Sequence, residues 1–513
     1  MGKAVKFSGF LVLSALVALA YVHRDALKTQ LQLHETTRVL SAGGPDAPIK
    51  SVTLYKNGFS TGGVEMQISA DLLQHKNGQE LAEYFSQFID VETIRSTDDS
   101  ATTTALADRV FNGNGSVLHS YADIRSGERL YLVAPGLLFV WPFVALGHRA
   151  YVTPQNSPTG KPVIIESFTE SPRTFHLHNF FTYDEADRLI ERILEIDDEN
   201  NKLQQSSVGH ESDRKVKSPH RTSENAFDMV SDTAIEIRKR VFEVLALGDY
   251  QEDMCDGLQL LRYKQKQAYI AHTDYFDKHT TEGWNWDPAT GGSNRFATVF
   301  MYLSNVTRGG QTVFPLAEMP EGIPDSYNHP EDAKTYQQTG LELFDTSSWE
   351  FDMVKKCSTK LASYPRKAHA ILFYSQKPDG ELDPMSLHGG CPVLDGTKWG
   401  ANLWVWNKRR FGLDDDGTNS RKFSVVFQNP SDVPVDLYWS STKMTTIEPH
   451  GRTLYTTYKG HKWTIKDGDR VLVEFEGTPE DGETQTVFVP LEALGGGSED
   501  QQDGDDSAAK EEL

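Results

Sequence analysis

Two short segments, far apart in the chain, constrain this sequence more than any other feature. The segment LRYKQKQAYIAHTDYFD (261–277) supplies His272 and Asp274, which are separated by one residue, and the segment SLHGGCPVLDGTKWGANLWVW (386–406) supplies His388. Alternate residues of a β-strand point to the same face, so His272 and Asp274 can bind one ion together. Two imidazoles and one carboxylate are the ligand set of non-haem Fe(II) sites, which keep other coordination positions open.

Lys398 follows His388 on the next strand-like run of the same segment. A lysine placed there can pair with a carboxylate of a co-substrate held on the metal. Burying an anionic ligand without a counter-charge would be very costly, so the pairing is physically required. The sequence therefore predicts an iron site that also binds a small carboxylate.

Length and charge limit the other possibilities. A chain of 513 residues is too long for one core and predicts two to four domains. The formal net charge of −22 excludes the basic patch of a nucleic-acid-binding protein. Three cysteines without a Cys-x-x-Cys pair exclude a disulfide scaffold and a zinc ribbon.

The two ends of the chain have the composition of targeting segments. Residues 1–22 place Lys3 and Lys6 before an apolar run, as in a signal peptide, and an uncleaved signal anchor is the alternative. Residues 495–513 are Gly-rich, then acidic, and predict a disordered tail. They end in Lys-Glu-Glu-Leu, which resembles the Lys-Asp-Glu-Leu retrieval signal. We therefore expect the endoplasmic-reticulum lumen, or its membrane with a lumenal catalytic domain if the anchor is retained.

Between these ends the pattern of strands and helices changes several times. Residues 49–134 alternate as strands around one helical stretch, and they resemble a β-grasp module. The apolar run 135–147 is too short to span a membrane and predicts a buried strand or linker. The polar, Pro-rich stretch 317–352 predicts a surface loop. Residues 423–490 are short strands separated by Pro, Gly and Asp-Gly turns, which is typical of a β-sandwich.

Residues 163–411 resemble the prolyl 4-hydroxylases, a family of Fe(II)/2-oxoglutarate dioxygenases. In addition to the two segments above, the matching motifs are YLSNVTRGGQTVFP (302–315) and AILFYS (370–375), in the family's order. The resemblance implies a double-stranded β-helix (jelly-roll) core with packing helices. It also implies Fe(II), 2-oxoglutarate, O2 and L-ascorbate as cofactors and a proline-containing peptide or protein as substrate. The whole chain is then expected to be mainly β with α, since modules resembling a β-grasp and a β-sandwich flank this core.

The same resemblance implies roles for individual residues. The iron ligands would be His272, Asp274 and His388. The distal carboxylate of 2-oxoglutarate would pair with Lys398 and accept hydrogen bonds from Thr312 and Tyr263. The substrate proline would be lined by Tyr269, Trp404 and Arg221, the last within HRTSENAF (220–227), which resembles the family's mobile peptide-covering segment. Cys357 and Cys391 occupy positions where the family often has a disulfide-linked pair.

Residues 423–490 resemble the β-domain of the von Hippel–Lindau protein, which binds hydroxyproline in a peptide. The resemblance implies a hydroxyproline pocket formed by Thr457, Tyr458, His461 and Trp463, with Trp439 in the core. An indole face suits a pyrrolidine ring, and imidazole and hydroxyl groups can satisfy the added OH.

The resulting functional prediction is peptidyl-prolyl 4-hydroxylation coupled to oxidative decarboxylation of 2-oxoglutarate to succinate. Two alternatives remain open at this point. The same iron site could hydroxylate lysine or a small molecule, or the chain could be a lumenal hydroxyproline-binding adaptor whose oxygenase core is silent. Asn114 (NGS) and Asn305 (NVT) are predicted glycosylation sites.

Overall fold

A computed structural model describes most of the chain between residues 41 and 490. The described residues are 41–42, 49–94, 106–197, 202–206, 220–278, 280–281, 284–323, 327, 331–410, 422–439, 442–458, 461–477 and 484–490. The predicted signal segment and the acidic tail lie outside them. The chain divides into two compact units: Met1–Asp228 with Thr233–Leu413, and Met229–Asp232 with Asp414–Leu513.

Strands dominate the described residues, as the sequence predicts. The strands are β1 (Ser41–Ala42), β2 (Ile49–Lys56), β3 (Val64–Ser69), β4 (Arg109–Asn112), β5 (Glu128–Val133), β6 (Arg149–Val152), β7 (Val163–Thr169), β8 (Thr174–His178), β9 (Gln204–Gln205), β10 (Glu224–Asp228), β11 (Leu258–Tyr263), β12 (Tyr269–His272), β13 (Thr280–Thr281), β14 (Trp284–Asn285), β15 (Arg295–Tyr302), β16 (Arg308–Gly309), β17 (Thr312–Glu318), β18 (Lys360–Ser363), β19 (His369–Tyr374), β20 (His388–Gly390), β21 (Val393–Asp395), β22 (Lys398–Trp406), β23 (Lys422–Gln428), β24 (Val435–Trp439), β25 (Thr442–Ile447), β26 (Arg452–Tyr458), β27 (Trp463–Asp467), β28 (Arg470–Phe475) and β29 (Thr484–Phe488). The α-helices of the described residues are α1 (Ala70–Leu73), α2 (Gly78–Phe85), α3 (Tyr183–Glu195), α4 (Asp232–Val244), α5 (Ala333–Leu343) and α6 (Trp349–Thr359).

The first unit begins with a five-stranded sheet in the order β1-β3-β2-β5-β4. Successive residues of β5 face opposite sides, as strand geometry requires. Leu130 and Leu132 pack with the buried face of α2, whereas Tyr131 and Val133 join the core that continues into the rest of the unit. The parallel pairing of β2 with β5 and the helix on one face agree with a β-grasp topology, which stays a prediction for this module.

A jelly-roll core follows, built from two sheets. The larger has nine strands in the order β6-β7-β8-β19-β15-β22-β11-β10-β9, and the smaller has the order β12-β20-β17-β18. Apolar residues on one face of the large sheet pack under α3 and α4. Residues on its other face, including Tyr263 and Tyr302, pack against Phe314 of the small sheet. The space between the sheets is where the predicted site residues project.

The interpretation of 317–352 as a surface loop was wrong in its second half. Helix α5 begins there after Asp332, whose side chain accepts a hydrogen bond from the backbone of Thr335, and α6 begins after Ser348 in the same way. Tyr336 and Val354 are buried where the two helices pack on the core. The capping residues are the sequence signal for these helices, and the polar composition of the stretch obscured it.

The apolar run 135–147 is an irregular linker, and its central residues Phe139, Val140 and Trp141 are buried. This agrees with the predicted buried strand or linker. Among the described residues, the structure contains no helix that is long and apolar enough to cross a bilayer.

The second unit contains a three-stranded sheet, β26-β23-β29, and a four-stranded sheet, β25-β24-β27-β28. Side chains of both sheets form one apolar cluster that includes Phe427, Leu437 and Trp463. The expectation that Trp439 lies in this core was wrong, because its side chain is 40% exposed whereas Trp463 is 3% exposed. Trp439 is the last residue of β24, and Trp463 opens β27 on the inward face.

Candidate active site

The three predicted metal ligands lie together at the edge of the small sheet. His272 of β12 and His388 of β20 are directly opposite each other in the strand register, and Asp274 lies two residues beyond the end of β12. Nε2 of His272 lies 3.6 Å from Oδ1 of Asp274, and Nε2 of His388 lies 3.5 Å from Oδ2 of the same carboxylate. One donor atom from each residue falls within 4.8 Å of the others. This spacing allows all three to coordinate a single ion.

Both imidazoles are held in the orientation that a metal ligand needs. Nδ1 of His272 lies 2.9 Å from the carbonyl oxygen of Ile270, and Nδ1 of His388 lies 2.9 Å from that of Ser386. A carbonyl can only accept, so each Nδ1 donates its proton to the carbonyl and each Nε2 faces Asp274, where a neutral ring offers its lone pair to a cation. Such fixing of the tautomer by a backbone carbonyl is typical of metal-binding histidines.

Asp274 is buried and has its own supporting contacts. Its Oδ2 accepts a hydrogen bond of 2.7 Å from the hydroxyl of Thr298, and its backbone carbonyl accepts one of 3.2 Å from Arg295. Burial raises the pKa of Asp274, but the neighbouring His388 and His272 outweigh it and hold that pKa well below its usual range. The carboxylate is therefore ionised and available to a cation.

Lys398 is buried deep in the space between the sheets, with 1% of its surface exposed. Its Nζ lies 4.7 Å, 5.1 Å and 5.6 Å from the ring centroids of Phe300, Tyr263 and Tyr302. No carboxylate of the described residues lies within ion-pair distance of Nζ, and burial lowers the pKa of Lys398 to about 7. An ammonium group in these surroundings lacks a counter-charge that an anionic ligand would supply.

The glycine at 310 leaves room for this lysine. A Cβ atom at Gly310 would lie 3.3 Å from Cδ of Lys398, and the backbone there has a φ of +74°. A side chain would therefore be strained at this position and would also crowd Lys398. This close approach explains the second glycine of the GGQT turn.

Thr312 and Tyr263 line the same interior, and both are 3% exposed. The Tyr302 hydroxyl donates to Oγ1 of Thr312 over 2.9 Å and also lies 3.0 Å from the carbonyl oxygen of Ser363. Sequence reasoning missed Tyr302, which orients the Thr312 hydroxyl. The available signal was the motif YLSNVTRGGQTVFP (302–315), of which Tyr302 is the first residue.

The predicted substrate-lining residues divide between two sides of the site. The ring of Tyr269 stacks on the imidazole of His272 at 3.7 Å, and the Arg221 guanidinium lies 4.5 Å from the Tyr269 ring centroid. On the other side, the Arg295 guanidinium lies 3.9 Å from the ring centroid of Trp404. Arg295 and Thr298, both on β15, were not predicted, since neither falls in a motif that specifies a metal site.

Cys357 of α6 and Cys391 form a disulfide bond, as the family resemblance implied. Cys255 is a buried free thiol. Asn114 and Asn305 both have exposed side chains, and Oδ1 of Asn305 accepts a hydrogen bond from the backbone of Lys367. Their glycosylation stays a prediction.

The residues predicted to bind hydroxyproline occupy different environments within the second unit. Thr457 and Trp463 are interior, and the indole Nε1 donates to Oγ1 of Thr457 over 2.8 Å. Oγ1 of Thr457 also lies 3.2 Å from Nδ1 of His461, and the ring of Trp439 lies 5.1 Å from that imidazole. The side chain of Tyr458 lies outside the described residues. The exposed aromatic ring beside His461 is therefore Trp439, not Trp463.

Comparison with known proteins agrees with this geometry. A sequence profile of the 2OG-Fe(II) oxygenase superfamily matches residues 258–406, which include all three candidate ligands and Lys398. Probable prolyl 4-hydroxylase 3 of Arabidopsis thaliana is 33% identical over 247 residues, which cover 47% of this chain and 71% of that protein. The chain belongs to the prolyl 4-hydroxylase family. As a member of it, the protein is an Fe(II)- and 2-oxoglutarate-dependent dioxygenase.

Other relatives and solved structures extend the comparison. Probable prolyl 4-hydroxylase 6 of Arabidopsis thaliana is 34% identical over 260 residues, covering 49% of this chain and 74% of that protein. The structure of a viral collagen prolyl hydroxylase from Paramecium Bursaria Chlorella virus-1, in complex with 2-oxoglutarate, aligns with 45% of this chain and 95% of its own. Its TM-score is 0.28 and its sequence identity 21%.

Proposed function

We propose that this prolyl 4-hydroxylase family member hydroxylates C4 of proline in peptides or proteins. One oxygen atom of O2 enters the proline and the other enters succinate, while 2-oxoglutarate loses CO2. The observation that carries the proposal is the convergence of His272, Asp274 and His388 in the same interior as Lys398, a buried cation without a carboxylate partner among the described residues.

The donor set fits iron. Two neutral imidazoles with their Nε2 lone pairs directed inward, and one ionised carboxylate, form the facial triad of non-haem Fe(II) enzymes. His272, Asp274 and His388 would hold the ion. When bound, Fe(II) supplies the O2 activation that couples decarboxylation of 2-oxoglutarate to oxidation of a C–H bond. Thr298 keeps the Asp274 carboxylate in place by its hydrogen bond to Oδ2.

Lys398 would pair with the distal carboxylate of 2-oxoglutarate. The hydroxyl of Thr312, oriented by Tyr302, and the phenol of Tyr263 can donate to the same carboxylate oxygens. These residues bind and orient the co-substrate, and their burial excludes water from it.

Tyr269, Trp404 and Arg221 would contact the peptide. Aromatic rings on two sides suit a pyrrolidine ring, and a guanidinium beside Tyr269 can donate to peptide carbonyls. L-Ascorbate would act as reductant when the reaction proceeds without peptide oxidation. Hydroxylation of lysine or of a small molecule by the same iron site is the competing hypothesis.

A peptide panel separates these hypotheses. Purified protein with Fe(II), 2-oxoglutarate and ascorbate is incubated with Pro-rich, collagen-like and Lys-containing peptides, and fragment-ion mass spectrometry locates the added oxygen. We expect oxygen on proline that is absent with His388→Ala. Oxygen on lysine alone would support the competing substrate. Physiological activity that survives His388→Ala would support an adaptor whose oxygenase core is silent.

We further propose that the second unit binds hydroxyproline in peptides, with Trp439 and His461 as contact residues. The support is an exposed indole 5.1 Å from an imidazole in a module that resembles the von Hippel–Lindau β-domain. Binding of the hydroxylated product by the same chain that forms it would raise the local concentration of partly modified substrate and favour multiple hydroxylation. The double variant Trp439→Ala, His461→Ala should shift a repetitive substrate toward singly modified products, and an unchanged product distribution would refute the idea.

The proposed location is the lumen of the endoplasmic reticulum. Support comes from the Cys357–Cys391 bond, because disulfides persist in oxidising compartments, and from the targeting-like ends of the sequence. Deleting the last four residues should send the protein into the secretion medium. Retention without them would contradict the role of that sequence.

A further inference from the structure

A second cavity lies in the first unit, separate from the candidate active site. It has a volume of about 290 Å³, is partly open to solvent, and lies between the N-terminal five-stranded sheet and strands β6, β7 and β8 of the large sheet. Its walls include Arg129, Tyr131, Trp141, His148, Ile165 and Phe175. None of the predicted metal, co-substrate or substrate-lining residues contributes to it.

Arg129 brings a positive charge to this cavity, whose lining also includes the Glu128 carboxylate. Its Nη1 is buried and has no hydrogen-bond partner in the described part of the chain. No carboxylate of the described residues forms an ion pair with its guanidinium, which lies 5.6 Å from the Tyr55 ring centroid and also interacts with the Tyr131 phenol. An orphaned buried donor on a cation is costly to the folded state, so its retention points to a partner that is absent from the chain itself.

Two of the other polar side chains around Arg129 are neutral at neutral pH, and Glu128 is the acidic one. Burial, aided by Arg129, lowers the pKa of His148, which leaves the imidazole neutral at neutral pH. Burial raises the pKa of the Tyr131 phenol to about 12. Glu128 also borders the cavity, but its Oε2 accepts a hydrogen bond of 2.9 Å from the backbone of Arg125. The polar end of the cavity therefore offers the unpaired Nη1 donor of Arg129 beside a carboxylate that already accepts a backbone hydrogen bond.

The other walls determine what kind of anion fits. Trp141, Ile165 and Phe175 are all buried hydrophobic side chains of the unit's core. A single planar guanidinium matches a carboxylate, whereas a phosphate dianion would leave charge unpaired in apolar surroundings. The volume and the apolar lining suit a small ligand with a hydrophobic body.

We propose that this cavity binds a small carboxylate that carries an aromatic or branched apolar group, with Arg129 as the anion-binding residue. Its walls come from both the N-terminal sheet and the jelly-roll core. Occupancy therefore links these two parts of the unit and raises the melting temperature of the protein. The proposal does not depend on the hydroxylase activity.

Benzoate is a suitable probe, and benzamide is its uncharged isostere. Isothermal titration of the full-length protein should show benzoate binding at least about tenfold more tightly than benzamide, because only benzoate pairs with Arg129. Equal affinities, or no binding of either compound at millimolar concentration, would overturn the proposal. This comparison needs no variant and so does not depend on mutant folding.

Variants then locate the binding site. Arg129→Gln should weaken benzoate binding about tenfold or more, whereas Arg125→Gln, which removes an exposed arginine four residues earlier, should leave it within about twofold. Lys398→Met should also leave benzoate binding unchanged, which excludes the co-substrate pocket. Loss of binding with Lys398→Met but not with Arg129→Gln would overturn the assignment.

Discussion

The candidate active site and the candidate hydroxyproline site differ in how well their residues agree with expectation. At the active site, every predicted ligand projects into one interior, with donor atoms within 4.8 Å. In the second unit, Thr457 and Trp463 are core residues and the exposed indole belongs to Trp439. A metal requires particular donors on one face, so the spacing itself is informative. An aromatic residue serves a core and a binding surface equally well, so resemblance alone cannot distinguish these roles.

The most severe test of the active site is the removal of one metal ligand. His388→Ala should reduce peptide hydroxylation to background, because two donors cannot hold Fe(II) tightly. Iron content and turnover are measured together on purified protein. His119→Ala, which removes an exposed histidine of the N-terminal module, is the matched control and should retain full activity.

The second unit is tested by comparing how substitutions of its two tryptophans change its stability. Trp463→Ala should lower the free energy of unfolding of that unit by about 3–5 kcal/mol, because a buried indole and its bond to Thr457 are lost. Trp439→Ala should change it by less than about 1 kcal/mol, since the side chain is 40% exposed. Hydrogen exchange of β23 to β29 in the full-length protein reports both values. A larger loss for Trp439→Ala would reverse the assignment of core and surface.

Lys398 provides a graded test of the active site. Lys398→Met should raise the KM for 2-oxoglutarate by about 100-fold, because the distal carboxylate would be buried without its counter-charge. The same substitution should raise the melting temperature of the ligand-free protein, since it removes an unpaired buried cation. An unchanged KM would place the co-substrate elsewhere.

The pH dependence of co-substrate binding is a smaller but diagnostic effect. Burial lowers the pKa of Lys398 to about 7 in the free protein, and a bound carboxylate would raise it again. Binding then takes up a proton above pH 7, so the dissociation constant of 2-oxoglutarate should rise by up to about tenfold per pH unit between pH 7 and 9. Lys398→Arg stays charged throughout this range and should abolish the slope. A slope that persists in Lys398→Arg would assign the titration to another group.

Much of the fold was predictable because its patterns have direct physical causes. Alternating residues identified the strands around one helical stretch in 49–134 and most strands of the second unit. Helices α5 and α6 were missed because they lie in a polar, Pro-containing stretch, where only the caps at Asp332 and Ser348 marked them.

Within the active site, the residues that position the metal-binding and co-substrate-binding side chains were the hardest to predict. Thr298 lies in an apolar run of β15 outside the quoted motifs, and Tyr302 opens the motif 302–315 without an assigned role. Their roles depend on which strands β15 pairs with and on the inward direction of their side chains. That information is in the tertiary register, not in local sequence.

The central claim is tested most directly by tracing oxygen. The protein is incubated under ¹⁸O2 with 2-oxoglutarate and a proline-containing peptide, and both products are analysed by mass spectrometry. We expect one ¹⁸O atom on C4 of proline for each ¹⁸O-labelled succinate, with both signals lost in His388→Ala. Labelled succinate without labelled proline across collagen-like and other Pro-rich peptides would contradict prolyl hydroxylation as the activity of this site.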